Sequence, residues 1–346
     1  MKVTSRFAPS PTGLLHIGHA WSAILAHDRA RQAGGRFLLR IEDIDGTRSR
    51  PEFIEAILSD LEWLGLSWDG PVLLQSRRLP FYAEALERLK AMGLLYPCFC
   101  TRAEIAASLS APHGDAGPVY PGTCRHLASG ERERRLAGEQ HAWRLDMVKA
   151  IAAVPSTEFP SPAKAGAQLG DADDQALRVA TGAFPTGPSS GLNMPRMFKD
   201  RPGDDPTRNS SLGKSGGSKW HDEIAGDVIA TPEIHGDVIL ARKDAPASYH
   251  LAVTIDDAAQ GVTHIVRGRD LFAATHVHRL LQALLDLPTP IYRHHALLAD
   301  ATGERLAKRN KAPTLLSMRE AGTNGPALAG DLRNGRLPIG FRLSEA

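Results

Sequence analysis

The feature that most constrains the fold is a run near the N-terminus. Arg6-Phe7-Ala8-Pro9-Ser10-Pro11-Thr12-Gly13 continues through Leu14 and Leu15 into His16-Ile17-Gly18-His19. Residues 2–8 read as a short strand, two prolines stiffen a loop, and a helix opens at about His16 with Trp21, Ile24 and Leu25 along one side. Such a strand, loop and helix start make an anion site: the first helical turn has backbone N–H groups without helical partners, and the helix dipole adds partial positive charge. His16 and His19, three positions apart, share one face of that turn, where both can donate to one phosphate chain. Gly18 between them has no side chain, which lets a flat base or ribose approach the backbone.

Gly34-Gly35 ends that helix, and Arg36 to Ile41 reads as a strand of the buried, parallel type. Together these form a βαβ unit and point to an α/β fold with a doubly wound parallel sheet. Glu42-Asp43-Ile44-Asp45 then places carboxylates past the C-terminal end of a parallel strand, the side on which such sheets bind ligands. Glu42 is suited there to an ammonium group. Pro51 to Leu66 and Pro80 to Met92 are amphipathic helices that serve as scaffold.

Cys98, Cys100 and Cys124 are too few and too clustered for a disulfide framework, and three thiolates so close in sequence favour a tetrahedral zinc. Ligand chemistry alone nominates His113 or His126 as the fourth donor. Residues 148–218 are rich in Ala, Gly, Pro and Ser, with few periodic apolar positions, and read as a disordered excursion. Order returns at Asp237 to Arg242, read as another strand of the nucleotide-binding sheet. Val253-Thr254-Ile255, ending at Asp256-Asp257, and Val262 to Asp270 read as strands of a second half whose ends meet those of the first over one crevice. Tyr249 can hydrogen-bond a carboxylate there, and Arg267 can pair with one through two N–H groups.

The balance of 41 basic against 39 acidic residues excludes an overall polycation, so any nucleic-acid contact needs a local basic face. Without an apolar run of membrane-spanning length or a signal-type N-terminus, the expectation is a cytoplasmic protein with no membrane partner.

His16-Ile17-Gly18-His19 resembles the HIGH signature of class I aminoacyl-tRNA synthetases, and Arg6 to Gly13 resembles their glutamate-specific subgroup. That resemblance implies a Rossmann-like catalytic domain in which Arg6, Phe7, Ala8, Pro9, Ser10, Glu42, Tyr249 and Arg267 hold L-glutamate. It assigns ATP, with magnesium, to His16, Gly18, His19 and Lys308, the last being the lysine kept in a KMSKS-like loop at Arg305 to Asn310. It also names Tyr120, four positions before Cys124, as the partner of Cys98, Cys100 and Cys124 on one structural zinc.

The expected division is 1–95 and 219–312 as the two halves of the catalytic domain, 96–147 as the zinc-binding insertion, 148–218 as the excursion and 313–346 as a short tail. Only thirty-six residues follow Asn310. The expectation is therefore a truncated paralogue of glutamyl-tRNA synthetase without an anticodon-binding domain, a monomer that places glutamate on the queuosine base of tRNA(Asp). The rivals are a minimal glutamyl-tRNA synthetase charging a tRNA 3′ end, and a non-catalytic nucleotide or tRNA binder.

Overall fold

The computed structural model describes residues 2–107, 119–154, 218–300 and 313–344. Lys308, His113 and residues 155–217, on which three of the expectations fall, lie outside the described residues.

The first half is β1 (Thr4–Phe7), α1 (Ile17–Gln32), β2 (Arg36–Ile41), α2 (Pro51–Trp63) and β3 (Leu73–Leu74). β1 and β2 run parallel with Thr4 opposite Arg36, and β2 runs parallel to β3. β1 is buried throughout, and so is β2 after Arg36, as expected of parallel strands covered on both faces. The return from α1 to β2 needs two glycines for different reasons. Gly34 adopts φ +60°, and a Cβ on Gly35 would stand 2.0 Å from the Val3 carbonyl oxygen.

The chain continues through α3 (Leu79–Ala91), β4 (Leu95–Cys98), α4 (Arg102–Ala107), α5 (Ser129–Gly138), β5 (Ala142–Leu145) and α6 (Met147–Ala152). It resumes with β6 (Lys219–Asp222), β7 (Gly226–Ile229), β8 (Ile239–Ala241), α7 (Tyr249–Ala259), β9 (His264–Gly268), α8 (Ala274–Leu284) and β10 (Ile291–His295). The last elements are β11 (Leu298–Asp300), α9 (Leu315–Glu320), α10 (Gly325–Arg333) and β12 (Phe341–Leu343).

β10 lies between β9 and β6 and runs parallel to both, while β7 turns back antiparallel on the outer side of β6. The two parallel groups join at their first residues. Thr263 donates its amide to the Thr4 carbonyl at 2.9 Å, and the Thr4 amide donates to the Thr263 hydroxyl at 2.8 Å. The strand ends of both halves thus face the same side, the arrangement that makes a ligand crevice.

Three expectations change. Val253-Thr254-Ile255 is not a strand but the middle of α7. Residues 251–257 are buried all round that helix, so no polar face breaks the apolar run, and periodicity alone cannot separate a wholly buried helix from a buried strand. Asp256 and Asp257 consequently sit within a helix rather than at a strand end. β8 leaves the parallel sheet and pairs antiparallel with β5, which pairs antiparallel with β4. The stretch expected as excursion opens with α6, whose Met147 and Ala150 are buried. In the tail, α10 packs Leu328, Ala329 and Leu332 into the same core as α1, and Gly325 lies so close to α2 that a Cβ would meet the Trp63 carbonyl oxygen at 2.0 Å.

Candidate active site

A cavity of about 520 Å³ opens where the strand ends of the two halves meet. Arg6, Phe7, Ala8, Pro9 and Ser10 line it from β1 and its loop, and Glu42 lines it from the end of β2. His16, Gly18 and His19 reach it from the opening of α1, and Tyr249 and Arg267 from α7 and β9. Every described residue expected to hold glutamate or ATP is therefore on one wall or another of a single space. The loop is tied down locally: the Glu42 amide donates to the Pro9 carbonyl at 3.0 Å and the Arg50 amide to the Pro11 carbonyl at 3.1 Å.

The α1 opening is more occupied than an open anion site. His16 is the N-cap in extended conformation (φ −122°, ψ 174°), and its Nδ1 accepts the Gly18 amide at 3.1 Å. In return the His16 amide donates to Nδ1 of His19 at 3.1 Å, a reciprocal cap that takes two of the amides expected to greet a phosphate. Since each Nδ1 accepts, each neutral ring carries its proton on Nε2, the atom suited to donate to a phosphate oxygen. Gly18 matters here for a reason the sequence did not give: a Cβ would stand 2.9 Å from the His16 ring, so glycine lets that ring fold over the first turn.

Arg6 and Arg267 supply positive charge at 4% and 5% exposure. Arg6 is held by Asp257, its Nε donating to Oδ1 at 2.9 Å and its Nη2 to Oδ2 at 3.4 Å. Arg40, entirely enclosed, donates to the same Asp257 oxygen at 2.7 Å and approaches Glu42 at 3.4 Å. Burial raises Glu42 to about 7, against the pull of Arg40 and Arg6. Arg267 points an Nη1 donor at the Tyr249 hydroxyl at 3.3 Å, and burial raises the Tyr249 phenol.

The sequence reading missed Thr12, Ser22, Asp270, His295, Leu297 and Leu298, which also line the cavity. Ser22 meets Nε2 of His295 at 3.0 Å, and Trp21 donates to the Ala296 carbonyl at 3.3 Å, fastening α1 to the end of β10. His295 carried a signal: it is a polar residue at the C-terminal end of a strand, where parallel sheets place ligand contacts.

The three thiols converge between β4 and α5, all mutually within 4.8 Å. The Tyr120 hydroxyl lies 3.5 Å from both the Cys98 and Cys100 sulfurs, and accepts the Cys124 amide at 2.9 Å. The three sulfurs lie close enough together to hold a metal. His126 stays outside it, exposed and bonded to Arg125 at 3.4 Å.

The model of the tRNA synthetases class I (E and Q), catalytic domain, matches residues 2–155 and 208–329. A glutamyl-Q tRNA(Asp) synthetase of Rhodobacter capsulatus is 44% identical over 325 residues, which cover 92% of this chain and 96% of that protein. Another of that name, from Symbiobacterium thermophilum, is 39% identical over 337 residues, covering 94% of this chain and 84% of that one. Among solved structures, the glutamate-tRNA synthetase of Elizabethkingia anophelis superimposes with a TM-score of 0.66 at 21% identity over 96% of this chain. The chain spans 61% of that synthetase's length, and the likeness is one of fold.

Proposed function

The chain belongs to the class I glutamyl- and glutaminyl-tRNA synthetase family, and from that premise we propose that it activates L-glutamate with ATP and transfers it to the queuosine base in the anticodon of tRNA(Asp). The observation that carries this reading is the convergence of Arg6, Glu42, Tyr249 and Arg267 with His16 and His19 on one cavity. The acceptor is supported by relatives named glutamyl-Q tRNA(Asp) synthetase that match nearly from end to end.

In this reading Glu42 takes the ammonium group of glutamate, and the two buried arginines with Tyr249 take its carboxylates. The α-carboxylate is ionised at neutral pH, so it attacks the α-phosphorus of ATP without a general base. A bond forms between carboxylate oxygen and phosphorus, the bond to pyrophosphate breaks, and glutamyl-adenylate results. His16 and His19 donate to the phosphates, Lys308 offsets charge developing on pyrophosphate, and magnesium accompanying ATP screens it further. The oxygen of a queuosine hydroxyl then bonds to the glutamyl carbonyl carbon, the bond from that carbon to the phosphate breaks, and AMP leaves with its phosphate taking up the hydroxyl proton. Alignment and charge neutralisation are the enzyme's task in both steps.

Cys98, Cys100, Tyr120 and Cys124 form a structural zinc site in this reading, with zinc stabilising the segment between β4 and β5. No helix among the described residues is long and apolar enough to cross a membrane. The reading also takes the enzyme to be a cytoplasmic monomer.

The test is transfer of labelled glutamate to tRNA(Asp) with and without queuosine, and to an isolated queuosine-containing anticodon stem-loop. Label is expected on the modified tRNA and on the stem-loop, and not on unmodified tRNA. Label at the 3′ end regardless of queuosine would make the chain a minimal glutamyl-tRNA synthetase. Absence of glutamate-dependent ATP–pyrophosphate exchange would make it a non-catalytic binder.

A further inference from the structure

One buried pair beside the cavity has no part in the scheme above: Asp222 on β6 and His294 on β10, at 1% and 5% exposure. Nδ1 of His294 meets Asp222 Oδ2 at 2.7 Å, and the same oxygen accepts the His294 amide at 3.1 Å. The other oxygen accepts the Ile224 and Ala225 amides, each at 2.9 Å. With both oxygens accepting, Asp222 stays an anion. An anionic acceptor fixes the imidazole proton on Nδ1 and leaves Nε2 with a lone pair.

That lone pair faces Arg267. The Arg267 Nε–H donates to Nε2 of His294 at 3.0 Å, while Nη2 donates to the Thr275 hydroxyl at 2.6 Å. Nη2 also donates to the Leu271 carbonyl at 3.3 Å, which leaves Nη1, the donor that reaches the Tyr249 hydroxyl at 3.3 Å, to meet a carboxylate; its aim depends on the guanidinium plane being set in advance. A proton on Nε2 would put donor against donor and turn that plane away. The His294 ring is itself held by Trp220 and Phe272, whose ring centres lie 5.7 Å and 5.1 Å from it. Burial and the charge of Arg267 push His294 down to about 4, so Nε2 keeps its lone pair at neutral pH.

We propose that Asp222 and His294 act as a relay that sets the guanidinium plane of Arg267 toward a glutamate carboxylate, which makes His294 a positioning residue of the activation step. The relay rests on the reading of the cavity as a glutamate site. It gives a function to two residues that touch no substrate.

Two substitutions separate the two bonds. His294→Asn keeps a side-chain N–H within reach of Asp222 and removes the acceptor for Arg267, whereas His294→Gln extends a carbonyl oxygen toward the place of Nε2. In glutamate-dependent ATP–pyrophosphate exchange, His294→Asn is expected to raise KM for glutamate about tenfold to a hundredfold, with KM for ATP within about twofold of wild type. His294→Gln is expected to stay within about threefold for both. An unchanged glutamate KM in His294→Asn, a loss in His294→Gln as large as in His294→Asn, or an equal rise in ATP KM overturns the relay. If His294→Asn does not fold, His294→Gln decides alone: a glutamate KM within about threefold of wild type supports the relay, and a larger rise overturns it. A wild-type protein without glutamate-dependent exchange refutes the glutamate site itself, a result distinct from either outcome for the variants.

Discussion

Thr314 forms an antiparallel bridge with His16, and the Leu315 amide donates to the Leu15 carbonyl at 2.8 Å. On the other side of residues 301–312, Leu298 at the start of β11 lines the cavity. The described residues on either side of 301–312 thus reach the cavity wall and the opening of α1. Lys308→Ala is expected to slow ATP–pyrophosphate exchange about a hundredfold or more while leaving KM for glutamate near wild type, because its charge is needed as pyrophosphate forms. Unchanged exchange would remove Lys308 from the reaction.

Glu42 should give glutamate binding a pH dependence of its own. Its carboxyl is raised from its ordinary value to about 7, so it is ionised at pH 8 and mostly protonated at pH 5.5. An ammonium group binds the ionised form. KM for glutamate should therefore climb as pH falls below 7, by up to about tenfold per unit, and glutamate binding near pH 6.5 should release a proton. Burial pushes His250 and His294 down to about 4, and His278 well below its ordinary value, so these do not titrate in this range. Calorimetry in two buffers of different ionisation heat measures the proton. Glu42→Gln should lose the dependence, and a Glu42→Gln profile identical to wild type would refute the assignment.

The parts of this site that were legible in the sequence are local in the chain. The passage from Arg6 to His19 announces itself because prolines, a helix start and paired histidines are neighbours, and Glu42 because it follows a strand. Asp257, Arg40, Asp222 and His294 were not legible as site residues. Their roles arise from ion pairs and hydrogen bonds between distant segments, and one of them lay in a helix whose uniform burial disguised it as a strand. Tyr120 came from family resemblance alone, since a lone tyrosine before a cysteine has no spacing signal of its own. The reciprocal cap of His16 and His19 was hidden for another reason: an imidazole is not among the usual capping side chains.

The sulfur cluster gives a prediction independent of catalysis. Metal analysis of the purified protein should find one zinc per chain, and Cys98→Ser should lower the melting temperature by at least about 5 °C, more than a surface substitution would. Tyr120→Phe should weaken metal retention against a chelator less than Cys98→Ser, because it removes one oxygen donor from a set that keeps its three sulfurs. Metal-free protein together with an unshifted Cys98→Ser would leave the cluster as ordinary buried thiols.

Asp257 is the test of how the glutamate end is held open. It is the shared acceptor for Arg6 and the fully enclosed Arg40, so Asp257→Ala leaves two buried charges short of a partner. The expected cost is about 3–5 kcal/mol of unfolding free energy, together with a raised KM for glutamate as Arg6 loses its anchor. Burial raises the Asp257 carboxyl, but Arg40 and Arg6 outweigh it and hold it below its ordinary value. A depressed carboxylate contributes stability that is fully present above its unfolded value, about 3.9, and is lost as pH falls through the lower folded value. Asp257→Asn keeps an oxygen acceptor without that titration. Its denaturation midpoint in urea should be lower than wild type at pH 7, and the gap should narrow below about pH 4, where wild type loses the same charge. A gap independent of pH from 7 down to 3 would mean that the carboxylate's charge contributes nothing to holding Arg6 at the cavity wall.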